Sequence, residues 1–200
     1  MKLQFFGSKT AGSKAFRRHS VLMLLLTCAS LGSARAESAD PRLVVILEGT
    51  AAGMPAMVPD FDGDGNPDPA FCWDLDLVDA TTNRVIGAAR DCFSPQNPEG
   101  TKGVGTTYFY FPQGTLVSQG KNTGQPVTWD PSMYPDVDPN VTVITGAFPA
   151  PGVNNILSGT GRFAAARGRV RLSGAVRPHP DGITLTFNCI LVIDLYGPHE

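Results

Sequence analysis

Glycine and proline are spread along the whole chain, and their spacing limits what the chain can fold into. The 200 residues include 22 glycines and 17 prolines, and no long segment repeats apolar residues at a helical period. The apolar runs are short and are separated by turn residues, a pattern that favours strands over helices. Seven or eight short strands joined by turns predict one all-β domain, a single antiparallel eight-stranded barrel.

The predicted strands are of two kinds. Leu43–Leu47 is a continuous apolar run, which is typical of a fully buried strand. In Phe71–Leu77 apolar and polar side chains alternate, so one face should be buried and the other exposed. Further strands are predicted at 84–93, 106–111, 115–118, 141–148, 168–176 and 183–196. Residues 51–69 and 120–140 are rich in turn-forming residues and are predicted to be long irregular loops, the second lying over a mouth of the barrel.

The first 36 residues have the features of a secretory signal peptide. They contain six basic residues and no acidic one, a short apolar run at 21–26, and the small-x-small motif Ala34-Arg35-Ala36. This pattern predicts cleavage after Ala36, which leaves a single barrel domain at 37–200. The apolar run is too short to span a bilayer, so no integral membrane segment is expected after the signal is removed.

The export signal allows more than one route. An ordinary secretory signal, which places the protein in the periplasm or outside the cell, fits these residues best. The pair Arg17-Arg18 in front of the apolar run also fits a twin-arginine signal. Leu26-Thr27-Cys28 resembles a lipoprotein box, so a lipid anchor on Cys28 is a further alternative.

The composition of the predicted mature chain excludes several classes of function. Ten of the 16 basic residues remain beside all 18 acidic ones, which gives a net charge of −8. Such a chain repels phosphate backbones, so we expect no nucleic-acid partner. His179 and His199 are its two histidines, and it has no G-x-S-x-G motif. Zinc chemistry and hydrolysis by a serine or cysteine triad are therefore disfavoured, and no organic cofactor is expected.

The cysteines test the predicted hairpin. Cys72 and Cys92 each lie ten residues from Thr82, the centre of the turn 80–83. In a hairpin with this centre the two cysteines face each other, so we predict a Cys72–Cys92 disulfide. Cys189 lies on the apolar face of the last strand, where we predict a free, buried and unreactive thiol.

An acidic segment predicts a metal site. Residues 60–68 have the pattern D-x-D-x-D-G-x-x-D, with oxygen ligands at alternate positions and a glycine at the turn, as a calcium ion requires. A solvated acidic turn is the alternative, because Asp, Asn and Gly also form turns without a metal. We favour a structural calcium ion that orders the loop. The predicted ligands are Asp60, Asp62, Asp64 and Asp68, together with the backbone carbonyl of Asn66.

A glycine-rich run near the end of the chain carries a family resemblance. Gly159-Thr160-Gly161-Arg162-Phe163, continuing through Ala164-Ala165-Ala166-Arg167-Gly168, resembles the corresponding run of plant dirigent proteins. The following segment, 170–195, is similar to the end of allene oxide cyclase, and residues 107–120 are similar to its middle strands. The resemblance implies a secreted, calycin-type eight-stranded barrel, often trimeric, that holds an apolar ligand in its lumen.

The resemblance also suggests site residues. Lumen carboxylates in these families stabilise or protonate a reactive intermediate, and Glu48 ends the first strand at a similar position. Arg167 matches the arginine of the dirigent A-R-G run. The two are candidate catalytic residues by resemblance, with a charged strand end as the alternative for Glu48. Arg167, Arg169 and Arg171 alternate, and we predict that they face outward, because arginine is rarely buried without a partner.

Two functions remain open at this stage. The first is a barrel that binds a small apolar molecule in its lumen and steers the cyclisation or coupling of a reactive intermediate. The second is a non-catalytic envelope or extracellular protein that acts in assembly, with a calcium-stabilised loop. A lumen cavity of about 300 Å³ or more, lined by a few polar groups, would favour the first. A lumen filled by aromatic side chains would favour the second. The sequence leaves open whether the protein is an enzyme.

Overall fold

The computed structural model describes residues 42–126, 130, 132–133, 135–136, 138, 140–146 and 152–196. The predicted signal peptide, with Cys28, and His199 lie outside the described residues. The described chain forms ten strands and one short 3₁₀ helix at Gly161–Phe163. The strands are β1 (Arg42–Ala52), β2 (Met54–Val58), β3 (Asp68–Asp79), β4 (Arg84–Pro95), β5 (Lys102–Phe111), β6 (Gly114–Pro126), β7 (Thr142–Gly146), β8 (Ile156–Gly159), β9 (Gly168–Pro178) and β10 (Thr184–Leu195). Within the described ranges, no helix has the length and apolar character that a bilayer crossing needs.

Eight of these strands form a closed sheet. The order is β1-β10-β9-β7-β6-β5-β4-β3, and β1 pairs back onto β3, where Val45–Glu48 lie opposite Asp76–Asp79. Every pairing is antiparallel. β2 pairs with the first part of β3, and β8 pairs with β6. The all-β class and the predicted ring of eight antiparallel strands are therefore confirmed.

The β3–β4 hairpin confirms the predicted disulfide. Its turn is held by Asp79, whose carboxylate accepts hydrogen bonds from the backbone N–H groups of Thr81 and Thr82. The turn pairs Asp79 with Arg84, and a β-bulge between Leu77 and Val78 then shifts the register by one residue. Cys72 therefore lies directly opposite Cys92, and the two form a disulfide. Their sulfur atoms lie on the outer face of the sheet, in a small cluster with Val58 and Ala70.

The predictions of long irregular loops at 51–69 and 120–140 are both partly wrong. β2 lies inside the segment 51–69, so its irregular part is only 59–67. β6 continues to Pro126, well into the segment 120–140, because β5 pairs with it on one edge and β7 on the other. The hydrogen bonds to β5 and β7 satisfy the backbone N–H and C=O groups of this part of β6, although its glycines by themselves suggest a loop. Most of the remaining segment, including 127–129, lies outside the described residues.

The lumen contains the main core. Along each strand alternate side chains point inward, as Val45 and Leu47 do on β1 and Leu191 and Ile193 do on β10. These four side chains are at most 1% exposed. The large apolar area that they and their neighbours remove from water is the main force that closes the sheet.

The glycine-rich run closes one end of the lumen. Gly161 has a φ of +57°, and a Cβ atom there would lie 2.1 Å from the carbonyl oxygen of Gln113, so only glycine fits. The turn directs Phe163 into the lumen, where it is 2% exposed and its ring centroid lies 5.1 Å from that of Phe111. The run thus supplies the aromatic residue that closes this end.

Candidate functional site

The lumen has two different ends. At the packed end, defined by Phe109, Phe111 and Phe163, aromatic rings fill the interior. At the hollow end, defined by Trp73, Asp91 and Phe187, the same closed sheet encloses a cavity of about 150 Å³. The side chains and glycines around this cavity come from six strands and one loop: Trp73, Asp91, Phe93, Gly100, Asn122, Thr123, Gly124, Thr142, Ile144, Leu172, Val176, Leu185, Phe187 and Cys189.

Asp91 is the carboxyl group of this cavity. It lies on β4 directly opposite Thr107 of β5, and the Thr107 hydroxyl donates a hydrogen bond of 2.6 Å to its Oδ1. No other described group hydrogen-bonds to this side chain, which is 9% exposed. Burial raises the pKa of Asp91 to about 6, although the Thr107 hydrogen bond opposes the shift. Near neutral pH the group can therefore hold or release a proton.

Trp73 and Phe187 form an aromatic wall of the cavity. Their ring centroids are 5.6 Å apart and the rings are tilted by 53°. The indole N–H of Trp73 donates a 3.0 Å hydrogen bond to the carbonyl oxygen of Ile183, which fixes the ring. A Cβ atom at Gly53 would lie 2.9 Å from the indole nitrogen, so a glycine at this break between β1 and β2 allows the ring its position. The wall therefore presents an aromatic face to the cavity, and its indole N–H is already used in a hydrogen bond.

Cys189 also lines the cavity, and it is a free, buried cysteine as predicted. Its thiol donates a weak hydrogen bond to the carbonyl oxygen of Ala175, with 3.7 Å between sulfur and oxygen. Burial, followed by the nearby charge of Asp91, raises the pKa of Cys189 to about 12. Because the thiolate is the reactive form, the thiol is inert at neutral pH.

The structure does not bring the two predicted catalytic residues to this cavity. Glu48 is exposed on the outer face of β1, next to the inward-facing Leu47. Arg167 is exposed just before β9, and neither residue lines the cavity. The lumen carboxyl group is Asp91, which is not among the site residues predicted from the sequence. Its neighbour Cys92 faces outward, so the disulfide itself was a signal that Asp91 faces inward.

The acidic loop brings together three of its predicted ligands. Carboxylate oxygens of Asp60, Asp62 and Asp68 all lie within 4.8 Å of one another. Hydrogen bonds from the backbone N–H groups of Gly63 and Gly65 lower the pKa of Asp60, which keeps it ionised. Asp64 lies outside this group, and its carboxylate accepts a hydrogen bond from the backbone of Asn66.

The prediction that the alternating arginines face outward is confirmed for Arg169 and Arg171. Their guanidinium groups lie 3.1 and 2.9 Å from Oδ2 of Asp194, and that of Arg42 lies 2.6 Å from its Oδ1. Burial opposes ionisation of Asp194, but the hydrogen bonds from Arg42 and Arg169 outweigh it and lower the pKa of this carboxyl group. Three arginines thus share one carboxylate on the outer surface.

Several solved structures are similar to this one. A pterocarpan synthase dirigent protein aligns with 78% of this chain and 95% of its own, at 15% identity and a TM-score of 0.41. A nonspecific heme-binding cyclase of neoabyssomicin biosynthesis aligns over 76% and 64%, at 15% identity and a TM-score of 0.33. The Diels-Alderase from Streptomyces koyangensis aligns over 74% and 63%, at 14% identity and a TM-score of 0.28.

These neighbours are dirigent and cyclase proteins, the kinds of protein that the sequence resemblance names. No family model and no curated protein sequence matches the chain. At these identities and TM-scores the similarities assign neither a family nor a reaction. The strand pairings therefore establish the fold.

Proposed function

We propose that this protein binds a small, largely apolar molecule in the hollow end of its lumen and steers the cyclisation or coupling of that molecule. The observation that carries the proposal is Asp91, a buried carboxyl group with a pKa of about 6 on the wall of an apolar cavity. An isolated buried carboxyl group costs stability, and such groups are concentrated at functional sites.

The size of the cavity limits the part of the ligand that it encloses. An apolar cavity of about 150 Å³ holds a molecule the size of benzene. The volume here is half of the 300 Å³ set as the criterion, so the criterion for a ligand enclosed whole is not met, because aromatic rings fill the packed end. We infer that one six-membered ring enters the cavity. The remainder of the ligand extends past Gly100 and Gly124, which have no side chains to block it.

Asp91 gives this site an acid and a base in one group. Its protonated form donates a proton to an oxygen atom of the ligand, which starts an isomerisation through a cation. The carboxylate that remains, together with the faces of Trp73 and Phe187, stabilises the positive charge. When the product loses a proton, Asp91 takes it back. The apolar walls exclude water and hold the reacting atoms together.

The test uses two probes of similar shape, acetophenone with an acceptor oxygen and ethylbenzene without one. Binding is followed by NMR titration at pH 5 and pH 8. We expect acetophenone to bind roughly tenfold more tightly at pH 5, when Asp91 is protonated, as one hydrogen bond allows. Ethylbenzene should show a smaller change.

The matched variant is Asp91→Asn, which keeps the shape of the side chain and cannot titrate. Its affinity for acetophenone should not depend on pH. If neither probe shows saturable binding, or if the native protein and the variant show the same pH dependence, the proposal fails.

We also propose export and a structural calcium ion at the acidic loop. The disulfide supports export, because disulfides persist in oxidising compartments. The carboxylates of Asp60, Asp62 and Asp68 would hold the metal, since calcium takes carboxylate oxygens. Calorimetric titration with millimolar calcium should give saturable heat that Asp62→Asn removes, with Asp136→Asn as the control. No heat in the native protein would refute the site.

A further inference from the structure

Asn122 supplies the side-chain amide of the hollow end. It lies on β6, is half-buried, and lines the same cavity as Asp91. Among the residues that the structure describes, none forms a hydrogen bond with this side-chain amide. Polar groups inside a protein are normally paired, and the few polar groups on the wall of an apolar pocket orient its ligand. The amide of Asn122 is therefore available to a ligand in the cavity.

Glycines give the amide its position. A Cβ atom at Gly105 of β5 would lie 2.2 Å from Nδ2 of Asn122, and one at Gly146 of β7 would lie 3.3 Å from its Oδ1. A larger residue at Gly105 would push the amide away, because a side chain would take the space that the amide occupies. The amide thus lies against the backbone of β5, on the lumen side of the sheet.

This position is close to the carboxyl group of Asp91. Thr107, which lies opposite Asp91 and donates a hydrogen bond to it, is the next inward residue of β5 after Gly105. Two residues along a strand span roughly 7 Å, so the amide and the carboxyl group are separated by a distance of this order. Asn122 and Thr107 also line one small cavity of about 20 Å³ together with Ser118, as neighbours do.

We propose that Asn122 is the second polar anchor of the ligand, and that the ligand is a six-membered ring with oxygen-bearing groups on opposite sides. This inference rests on the proposed function, because it requires the ring to enter the hollow end. Asp91 binds one oxygen atom, and an N–H group of Asn122 donates a hydrogen bond to the other. A ligand with a single oxygen atom displaces water from the amide and leaves it without a partner, so the site discriminates against it.

The test compares 1,4-diacetylbenzene with 4-ethylacetophenone, which has a similar shape and lacks the second oxygen atom. NMR titration at pH 5 measures the affinity of the native protein for each probe. The side-chain ¹⁵N–H₂ signals of Asn122 should shift with the diketone and much less with 4-ethylacetophenone, because only the diketone reaches the amide with an acceptor.

Two variants remove the anchor. Asn122→Asp keeps the shape of the side chain and loses its N–H donors, and Asn122→Ala removes the amide without adding a charge. In both, the ratio of the affinity for the diketone to that for 4-ethylacetophenone should fall roughly fivefold, as the loss of one hydrogen bond allows. Asn140→Asp is the matched control and should keep the native ratio, since Asn140 is exposed and does not line the cavity.

The outcomes separate this inference from the proposed function. If 4-ethylacetophenone binds but the ratio is the same in the native protein and in Asn122→Ala, this inference fails while the proposed function stands. If neither probe shows saturable binding, both fail. A ratio that falls in both Asn122 variants and not in Asn140→Asp supports the anchor. Circular dichroism checks that each variant is folded, and if Asn122→Asp is not, Asn122→Ala decides.

Discussion

The packed end and the hollow end of the lumen are built from the same eight strands, yet they are filled differently. At the packed end Phe163 fits against Phe111, and the side chains around them are apolar. At the hollow end Asp91 replaces an apolar inward side chain, and Gly100 and Gly124 contribute no side chain. The packed end removes apolar surface from water, whereas the hollow end is less tightly packed and holds a carboxyl group.

This contrast separates stability from function within one closed sheet. Asp91 at the hollow end costs free energy once it is ionised, because its charge is buried without a cation. The apolar contacts at the packed end offset that cost. The account predicts that substitutions at the two ends differ in both size and kind.

The largest predicted difference concerns the aromatic residues. Phe163→Ala should lower the free energy of unfolding by about 4 kcal/mol, because it leaves a void in a filled core. Phe93→Ala, on the wall of the cavity, should cost about 2 kcal/mol, since Phe93 is only partly buried and already borders empty space. Urea denaturation measures both. Equal losses would show that the two ends are packed alike.

The next effect is the pH dependence that Asp91 introduces. In the unfolded chain its pKa is near 3.8, and in the folded protein it is about 6. Between these values the folded protein keeps a proton that the unfolded chain has lost, so stability falls as the pH rises. From pH 4 to pH 7 the native protein should lose about 2 kcal/mol relative to Asp91→Asn.

Comparing the native protein with the variant removes the contributions of other carboxyl groups. Asp194 and Asp74, for example, have lowered pKa values and stabilise the fold as the pH rises, which is the opposite sign. In the cavity the other titratable group is Cys189, whose pKa of about 12 keeps it protonated over this range. Denaturant midpoints that change in parallel for both proteins would mean that Asp91 is well hydrated.

The smallest predicted effects come from filling space. Val176→Phe adds a ring to the hollow end and should change stability by less than about 1 kcal/mol while blocking the binding of acetophenone. Val45→Phe is the matched change in filled core and should cost about 2 kcal/mol. Val176 and Val45 are both buried, at 5% and 1% exposure, so burial alone does not separate them. A larger penalty at Val176 would contradict the cavity.

Local features of the sequence explain which parts of the fold could be predicted. The Cys72–Cys92 pairing was predicted from a turn centred on Thr82, and in the structure a β-bulge between Leu77 and Val78 supplies the register that this centre implies. β2 and the extension of β6 could not be predicted from their glycines and prolines, since their backbone groups are satisfied by pairing with β3 and with β5 and β7, which local turn propensity does not reveal. Ladder partners of this kind outweigh local turn propensity.

The functional residues were harder to predict for a geometric reason. In a strand, successive side chains point to opposite faces, so a shift of one residue moves a side chain from the lumen to solvent. The apolar run Leu43–Leu47 has no alternation that would show which face Glu48 takes. Asp91 stands between Arg90 and Cys92, a setting typical of a solvent-facing position. Its burial depends on Thr107, and its cavity depends on Phe187 of a distant strand.

The most direct test of this account is an NMR titration of the ¹³C-labelled carboxyl group of Asp91. If the group lies in a dry apolar cavity inside the closed sheet, its midpoint should fall near pH 6, well above the 3.8 of a free aspartate. Saturation with acetophenone should raise the midpoint further, because the bound oxygen favours the protonated form. A midpoint at or below 3.8, unchanged by the probe, would contradict the account.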